Sequence, residues 1–191
     1  VGNYINNYTI GDDCLISNIS VMETTEGATY GEGNLISVLN EVGDGNVIFF
    51  HDLNSQFAAF MVKHFNDKDL KNAIRRLVKE EIARTNPERG TIGNNVKIVN
   101  TREITNTVIQ DDCEISGASR LSDCTILSSE YASVYIGTGV ICENSIISDG
   151  SSIVNSVKMQ DCFVGEACQI SNGFTASQSV FFANSFMSNG E

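Results

Sequence analysis

The sequence predicts a mainly β fold in which short parallel strands stack as the coils of a solenoid, interrupted once by a two-helix insertion. Three observations predict it. Apolar residues recur at every sixth position in both flanks of the 191-residue chain, at Tyr4, Ile10, Ile16 and Met22 and again at Ile92, Ile98 and Ile104. Between the flanks the spacing turns helical. Charge follows the same division: all twelve basic residues lie at or beyond Lys63, so residues 1–62 carry -8, residues 63–89 carry +3 and residues 90–191 carry -7, for a net -12.

In the first flank, residues 1–50, a six-residue period fits neither an α-helix nor a plain two-residue alternation. It fits a short strand, a turn and another strand, with three such units per coil. The large residue of each unit points inward. A small one follows four positions later, as Cys14 follows Ile10, and glycine or aspartate takes the turn, as in Gly11-Asp12-Asp13. Turns favour Gly, Asn and Asp because these residues tolerate bent or left-handed backbone.

In the insertion, residues 51–90, the six-residue beat stops after Val47-Ile48-Phe49-Phe50. Phe57, Phe60, Met61, His64 and Phe65 form one helical stripe, with Asp52 or Asn54 as its cap. Asn66-Asp67 interrupts, and Leu70, Ile74, Leu77, Val78 and Ile82 form a second stripe. Asn86-Pro87-Glu88-Arg89-Gly90 ends it with turn chemistry. Each stripe needs an apolar surface to cover, either the outside of the coils or a sister subunit. The basic run Lys71, Arg75, Arg76 and Lys79 is expected on a solvated helix face. A subunit contact and an anionic ligand such as a sugar phosphate are the alternatives.

The second flank, residues 91–191, resumes the beat, slips by one residue to Ile109, and continues at Ile115, Leu121 and Leu127. Later phases run from Ile136 to Cys142 and through Ile147, Ile153 and Met159. The segment Ile109-Gln110-Asp111-Asp112-Cys113-Glu114-Ile115-Ser116 repeats Ile10-Gly11-Asp12-Asp13-Cys14-Leu15-Ile16-Ser17 at six of eight positions, so one coil corner is built twice.

The units Ile10-Gly11-Asp12-Asp13-Cys14, Ile92-Gly93-Asn94-Asn95-Val96 and Ile136-Gly137-Thr138-Gly139-Val140 resemble the hexapeptide-repeat proteins, a family of left-handed parallel β-helices that includes acyltransferases and the tails of sugar nucleotidyltransferases. Glu23-Thr24-Thr25-Glu26-Gly27 and Val38-Leu39-Asn40-Glu41-Val42-Gly43 resemble Bacteroidetes proteins related to UDP-N-acetylglucosamine pyrophosphorylase. The resemblance implies the left hand of the coils, a sugar or sugar nucleotide as ligand, acetyl-coenzyme A as cofactor if the chain is an acyltransferase, and a trimer. It also implies a histidine acting as general base on the acceptor. Only His51 and His64 are present, and His51, beside Asp52 at the end of an apolar run, is the candidate. The rival expectation is a non-enzymatic scaffold or carbohydrate-binding module, favoured by the scarcity of histidine and of basic residues in the flanks. No base precedes Lys63, so nothing matches the Gly-rich, Arg-bearing N-terminal loop of a pyrophosphorylase.

The six cysteines form no C-x-x-C pair and stand apart from both histidines, so no metal site is expected from spacing, and the thiols are expected to be reduced and buried. The pairs Asp12-Asp13 and Asp111-Asp112 are expected to stabilise turns rather than bind calcium. An acidic chain without clustered bases in its flanks argues against nucleic acid. No apolar run is long enough for a membrane span and no secretory signal is visible, which points to the cytoplasm. Because the chain starts Val1-Gly2 and ends inside the repeat texture, it is expected to be part of a longer protein, with further coils beyond Glu191.

Overall fold

The structure, a computed structural model, describes residues 4–37 and 46–190. It is mainly β, with two large parallel sheets, one antiparallel strand pair and two helices among the described residues. The resembling stretch Val38 to Gly43 lies outside the described residues.

A nine-stranded and a seven-stranded sheet are built of parallel pairs. Outside the insertion and one longer step, their registers advance by 17, as from Ile104 to Leu121 and from Ile98 to Ile115. The six-residue beat accounts for that step once its slip is counted. From Ile98 the inward positions run to Ile104, Ile109 and Ile115, spacings of six, five and six, and all four side chains are fully buried. The same slip recurs at Leu121 to Ile126, Cys142 to Ile147 and Met159 to Val164. The slip therefore belongs to every step and is not an irregularity.

Its cause is a one-residue corner. Asn106, Asp123, Asn144, Asp161 and Gln178 bend their strands at φ between 47° and 52°. The remaining turns also pass through the left-handed region, at Asp13, Asn95 and Asp112 and at Asn18, Asn100 and Gly117. Asx side chains are the non-glycine residues that enter this region most readily. One step is longer: Ile126 pairs with Ile147, and the extra residues lie in the loop around the Ser129–Ala132 bridge. There the sequence reading errs by one position, because Ile126 and not Leu127 points inward. Leu127 is half-buried on the outer surface.

Corner side chains tie neighbouring steps together. Asn94 Oδ1 accepts from the Asp12 N–H at 2.9 Å, and Asp111 Oδ1 accepts from the Asn94 N–H at 2.7 Å. That is the turn role expected of Asp111. Gly93 is required there, since a Cβ would stand 2.3 Å from Asp111 Oδ1.

The insertion is larger than the sequence suggests. The parallel register reaches Val21–Glu23, which pairs with Glu103–Ile109, and resumes at Gly90–Ile92. Among the described residues from Thr24 to Phe50 that pairing does not continue: Leu35–Ile36 and Val47–Ile48 pair antiparallel. The reason is burial. A half-buried strand alternates, whereas Val47-Ile48-Phe49-Phe50 is apolar throughout and all four are buried in a second core. That core also holds Ala58 and Met61 of helix α1 (Ser55–Lys63) and Ile74 and Val78 of helix α2 (Lys68–Thr85). Asn54 caps α1, its Oδ1 accepting the Phe57 N–H, and Asp67 caps α2 through the Leu70 N–H.

The insertion covers the outside of the parallel sheets, one of the two surfaces its stripes required. Ile146 and Phe163 are register partners beside the inward Ile147 and Val164, and they face the second core. Phe49 meets Phe163 with ring centres 5.9 Å apart. Thr125 Oγ1 donates to the Tyr30 carbonyl at 2.8 Å, and Gly31 packs so close that a Cβ would stand 2.7 Å from the Asp123 carbonyl oxygen. Among the described residues no helix is long and apolar enough to cross a membrane.

Candidate functional site

A groove of about 700 Å³ lies where the insertion meets the sheets. Its floor is a column of successive register positions, Leu127, Ser148, Gly165 and Phe182. Asp149 and Glu166 follow along the floor, and the segment from His51 to Gln56 makes the facing wall. Three carboxylates (Asp52, Asp149 and Glu166), Asn54, Gln56 and Ser148 give the groove polar groups, and among the described residues no lysine or arginine lines it. A smaller cleft of about 140 Å³, lined by Glu32, His51, Gln110 and Leu127, joins it at His51.

His51 reaches this position because the apolar run before it enters the second core and the chain then turns outward at His51-Asp52. Glu32 arrives from the other side. It stands between Gly31 and Gly33, both in the left-handed region, on a tight turn closed by its N–H to the Thr29 carbonyl at 3.0 Å. Its side chain is only 2% exposed, so the carboxylate needs a partner. His51 provides two: its backbone N–H donates to Oε2 at 3.2 Å and its Nδ1 lies 3.2 Å from Oε1. A carboxylate accepts, so Nδ1 carries the donated proton, and in the neutral ring Nε2 is the nitrogen with the free lone pair.

Nε2 faces two more acids, Asp52 Oδ2 at 3.7 Å and Glu81 Oε1 at 3.6 Å. The hydrogen bond to Glu32 raises the imidazole above the ordinary histidine value, and the charges of Glu32, Asp52 and Glu81 add to it, while desolvation opposes. Arg84 pairs with Glu81 and holds its carboxyl below the usual range.

The candidate His51 therefore stands at the edge of a groove, but its oriented contact comes from Glu32 rather than from its neighbour Asp52. On a strand, residues 51 and 52 would point to opposite faces; in the observed turn both approach the same place, with Glu32 alone of the three acids within hydrogen-bonding reach of the ring. His64 is separate, packed on Phe60 with ring centres 4.7 Å apart beyond the C-terminus of α1. The basic run occupies the outer face of α2: Arg75, Arg76 and Lys79 are exposed, and Arg75 and Lys79 border an apolar cleft of about 460 Å³. All six cysteines are free, with Cys14 half-buried and five buried.

Sequence reasoning missed Glu32 and Glu81, which lie far from His51 along the chain, one on either side. The signal for Glu32 was its pair of flanking glycines, which mark backbone under conformational demand. Glu81 had none, being one acid among several on an exposed helix. The expectation of no metal site rested on linear spacing, whereas the fold brings His51, Asp52 and Glu81 together with one ligand atom of each within 4.8 Å of the others.

Over residues 1–191 the chain matches the family described as Domain of unknown function (DUF4954). No curated protein and no solved structure gives a significant match.

Proposed function

We infer, for a chain that belongs to the DUF4954 family, a left-handed parallel β-helix that binds an unphosphorylated carbohydrate in the groove beside its helical insertion. The register step of 17 that recurs between most neighbouring strands, the left-handed turns at matching positions of successive steps and the parallel pairing of both large sheets support the β-helix. The hand comes from the resemblance to hexapeptide-repeat proteins.

The observation that carries the ligand class is the lining of the groove. Carboxylates, amides and a hydroxyl accept and donate hydrogen bonds to a polyol, and the half-buried ring of Phe182 offers the apolar surface on which a sugar's C–H face packs. A lining without lysine or arginine disfavours phosphates and favours a neutral or amino sugar.

One observation favours a second reading, acyl transfer onto a sugar with His51 as general base. Glu32 fixes the imidazole through Nδ1 and leaves Nε2 free, which is how a base is oriented. Acetyl-coenzyme A and sugar nucleotides carry phosphates, however, and among the described residues the groove lining offers them no lysine or arginine, so binding is the better supported reading.

Calorimetric titration with glucosamine, N-acetylglucosamine, glucosamine 6-phosphate and acetyl-coenzyme A tests both. An unphosphorylated sugar is expected to bind, with affinity reduced at least about tenfold by Asp149→Asn or Glu166→Gln, a loss of about 1.4 kcal/mol. Preference for the phosphorylated ligands, or no saturable binding, overturns the carbohydrate reading. Acetyl transfer abolished by His51→Ala would put the second reading in its place.

A further inference from the structure

We propose that His51, Asp52 and Glu81 form a binding site for a divalent first-row cation, zinc foremost, at the His51 end of the groove. The inference goes beyond the carbohydrate reading and does not depend on it. Carboxylates alone would be an ordinary solvated acidic cluster. What distinguishes this one is an imidazole nitrogen aimed into it from a fixed ring.

The two edges that meet at His51 are close to those of a coordination shell, while the three ligand atoms together lie within 4.8 Å of one another, so the carboxylates close in on the ion when it binds. Zinc takes nitrogen and oxygen ligands at about 2.1 Å in a tetrahedron, so two ligand atoms on one ion stand about 3.4 Å apart. Nε2 lies 3.7 Å from Asp52 Oδ2 and 3.6 Å from Glu81 Oε1. An octahedral ion would bring neighbouring ligand atoms to about 3.0 Å, a poorer fit. One nitrogen and two carboxylate oxygens also suit a borderline cation better than calcium, which takes oxygen alone.

Glu32 supplies what a metal-binding histidine needs outside the ligand set. A ligand imidazole donates its other ring N–H to a carboxylate, which fixes the tautomer and the ring plane. The buried Glu32 does so at 3.2 Å from Nδ1, and since it is itself buried it cannot swing away to become a ligand. Access is open through Asp52, whose side chain is 71% exposed. Three protein ligands leave the fourth tetrahedral position to water or to a bound molecule, and His51 and Asp52 also line the groove.

Two other features bear on the site. Arg84 contacts Glu81 through Nη2 at Oε1 and Nε at Oε2, so an ion must displace the first contact while the second persists. A cation on Nε2 also occupies the lone pair that a general base would use. Metal binding and the base role of His51 therefore exclude one another.

The test is calorimetric titration of the chelator-treated chain with zinc chloride, without sugar, together with zinc K-edge absorption fine structure. One equivalent is expected to bind, with Asp52→Asn and Glu81→Gln each weakening it at least about tenfold, and with a nitrogen–oxygen shell at about 2.0–2.1 Å. Both side chains reach solvent, and the Glu81–Arg84 pair is a surface pair of small energetic weight, so neither substitution threatens folding. Absence of binding, binding indifferent to both substitutions, or sulfur in the shell at about 2.3 Å, which would place the ion on the cysteines, overturns the proposal.

Discussion

At the scale of single residues, the corner positions decide the path of the chain. Asn106 holds φ at 47° between the inward Ile104 and Ile109, and its Oδ1 accepts from both the N–H and the hydroxyl of Thr25, at 2.9 and 3.1 Å. Two effects overlap there: tolerance of left-handed backbone and a bond to the neighbouring step. They separate by substitution. Asn106→Ala loses both and is expected to cost about 2–3 kcal/mol, the left-handed penalty plus a lost exposed hydrogen bond. Asn106→Gly recovers the backbone freedom alone and should return about 1 kcal/mol of that loss. Urea midpoints of the two variants measure the difference, and equal midpoints would show that conformation is not what the corner selects. Gln178 occupies the matching corner at φ 48°, so the position requires the conformation without requiring Asx.

At the scale of elements, the insertion is stable only where it is docked. Isolated helices of nine and eighteen residues are marginal in water, so α1 and α2 rely on the second core. Phe163 is the sheet's largest contribution to it, buried and packed against Phe49. Phe163→Ala should cost about 3–5 kcal/mol. If the insertion opens as a unit, amide hydrogen exchange in α1 and α2 will quicken far more than in the central strand Ile141–Ile147; uniform acceleration would instead mean that both cores unfold together. The same elements show what the sequence could and could not reveal. The beat of inward residues and both helical stripes were legible because each is a local period. The boundary of the first flank was not, because residues 24–36 carry no period and the run Val47–Phe50 reads equally well as a repeat strand or as core. The outward Ile146 and Phe163 were also in view, each beside an inward neighbour, but an apolar doublet in a repeat does not say which face lies outside. The site was less legible still. His51 stood out as a chemical type, while Glu32 and Glu81 meet it only through the tight turn between Gly31 and Gly33 and the docking of α2.

At the scale of the molecule, the core of the parallel sheets and the net charge of -12 respond to pH in opposite regions. Acids crowd the surface, whereas the interior stores protons on thiols and on a phenol. Burial pushes Cys113 and Cys124 up to about 12, Cys162 to about 11 and Cys142 well above its ordinary value. Tyr8, whose hydroxyl donates to the Thr107 carbonyl at 3.1 Å, is pushed by burial to about 12. In each case the folded chain holds a proton that the unfolded chain releases first, near 9 for a thiol and 10 for tyrosine. The stability these groups contribute is therefore complete below pH 9 and falls as pH rises toward their folded values. Each group in that window removes about 1.4 kcal/mol per pH unit, so these four thiols together can exhaust an ordinary domain stability of about 5–15 kcal/mol within a few units. Urea unfolding at pH 8, 9 and 10 should show a loss that steepens above pH 9. Cys113→Val isolates one contribution, since Val96 and Val134 already occupy the matching position of adjacent steps and both are buried. That variant should retain its stability at pH 8 and lose it more gently above pH 9, by about 1.4 kcal/mol per unit for the missing thiol. A slope identical to that of the parent chain would mean that Cys113 ionises in the folded state as readily as in the unfolded one, and that its burial is not what the alkaline limit of the fold depends on.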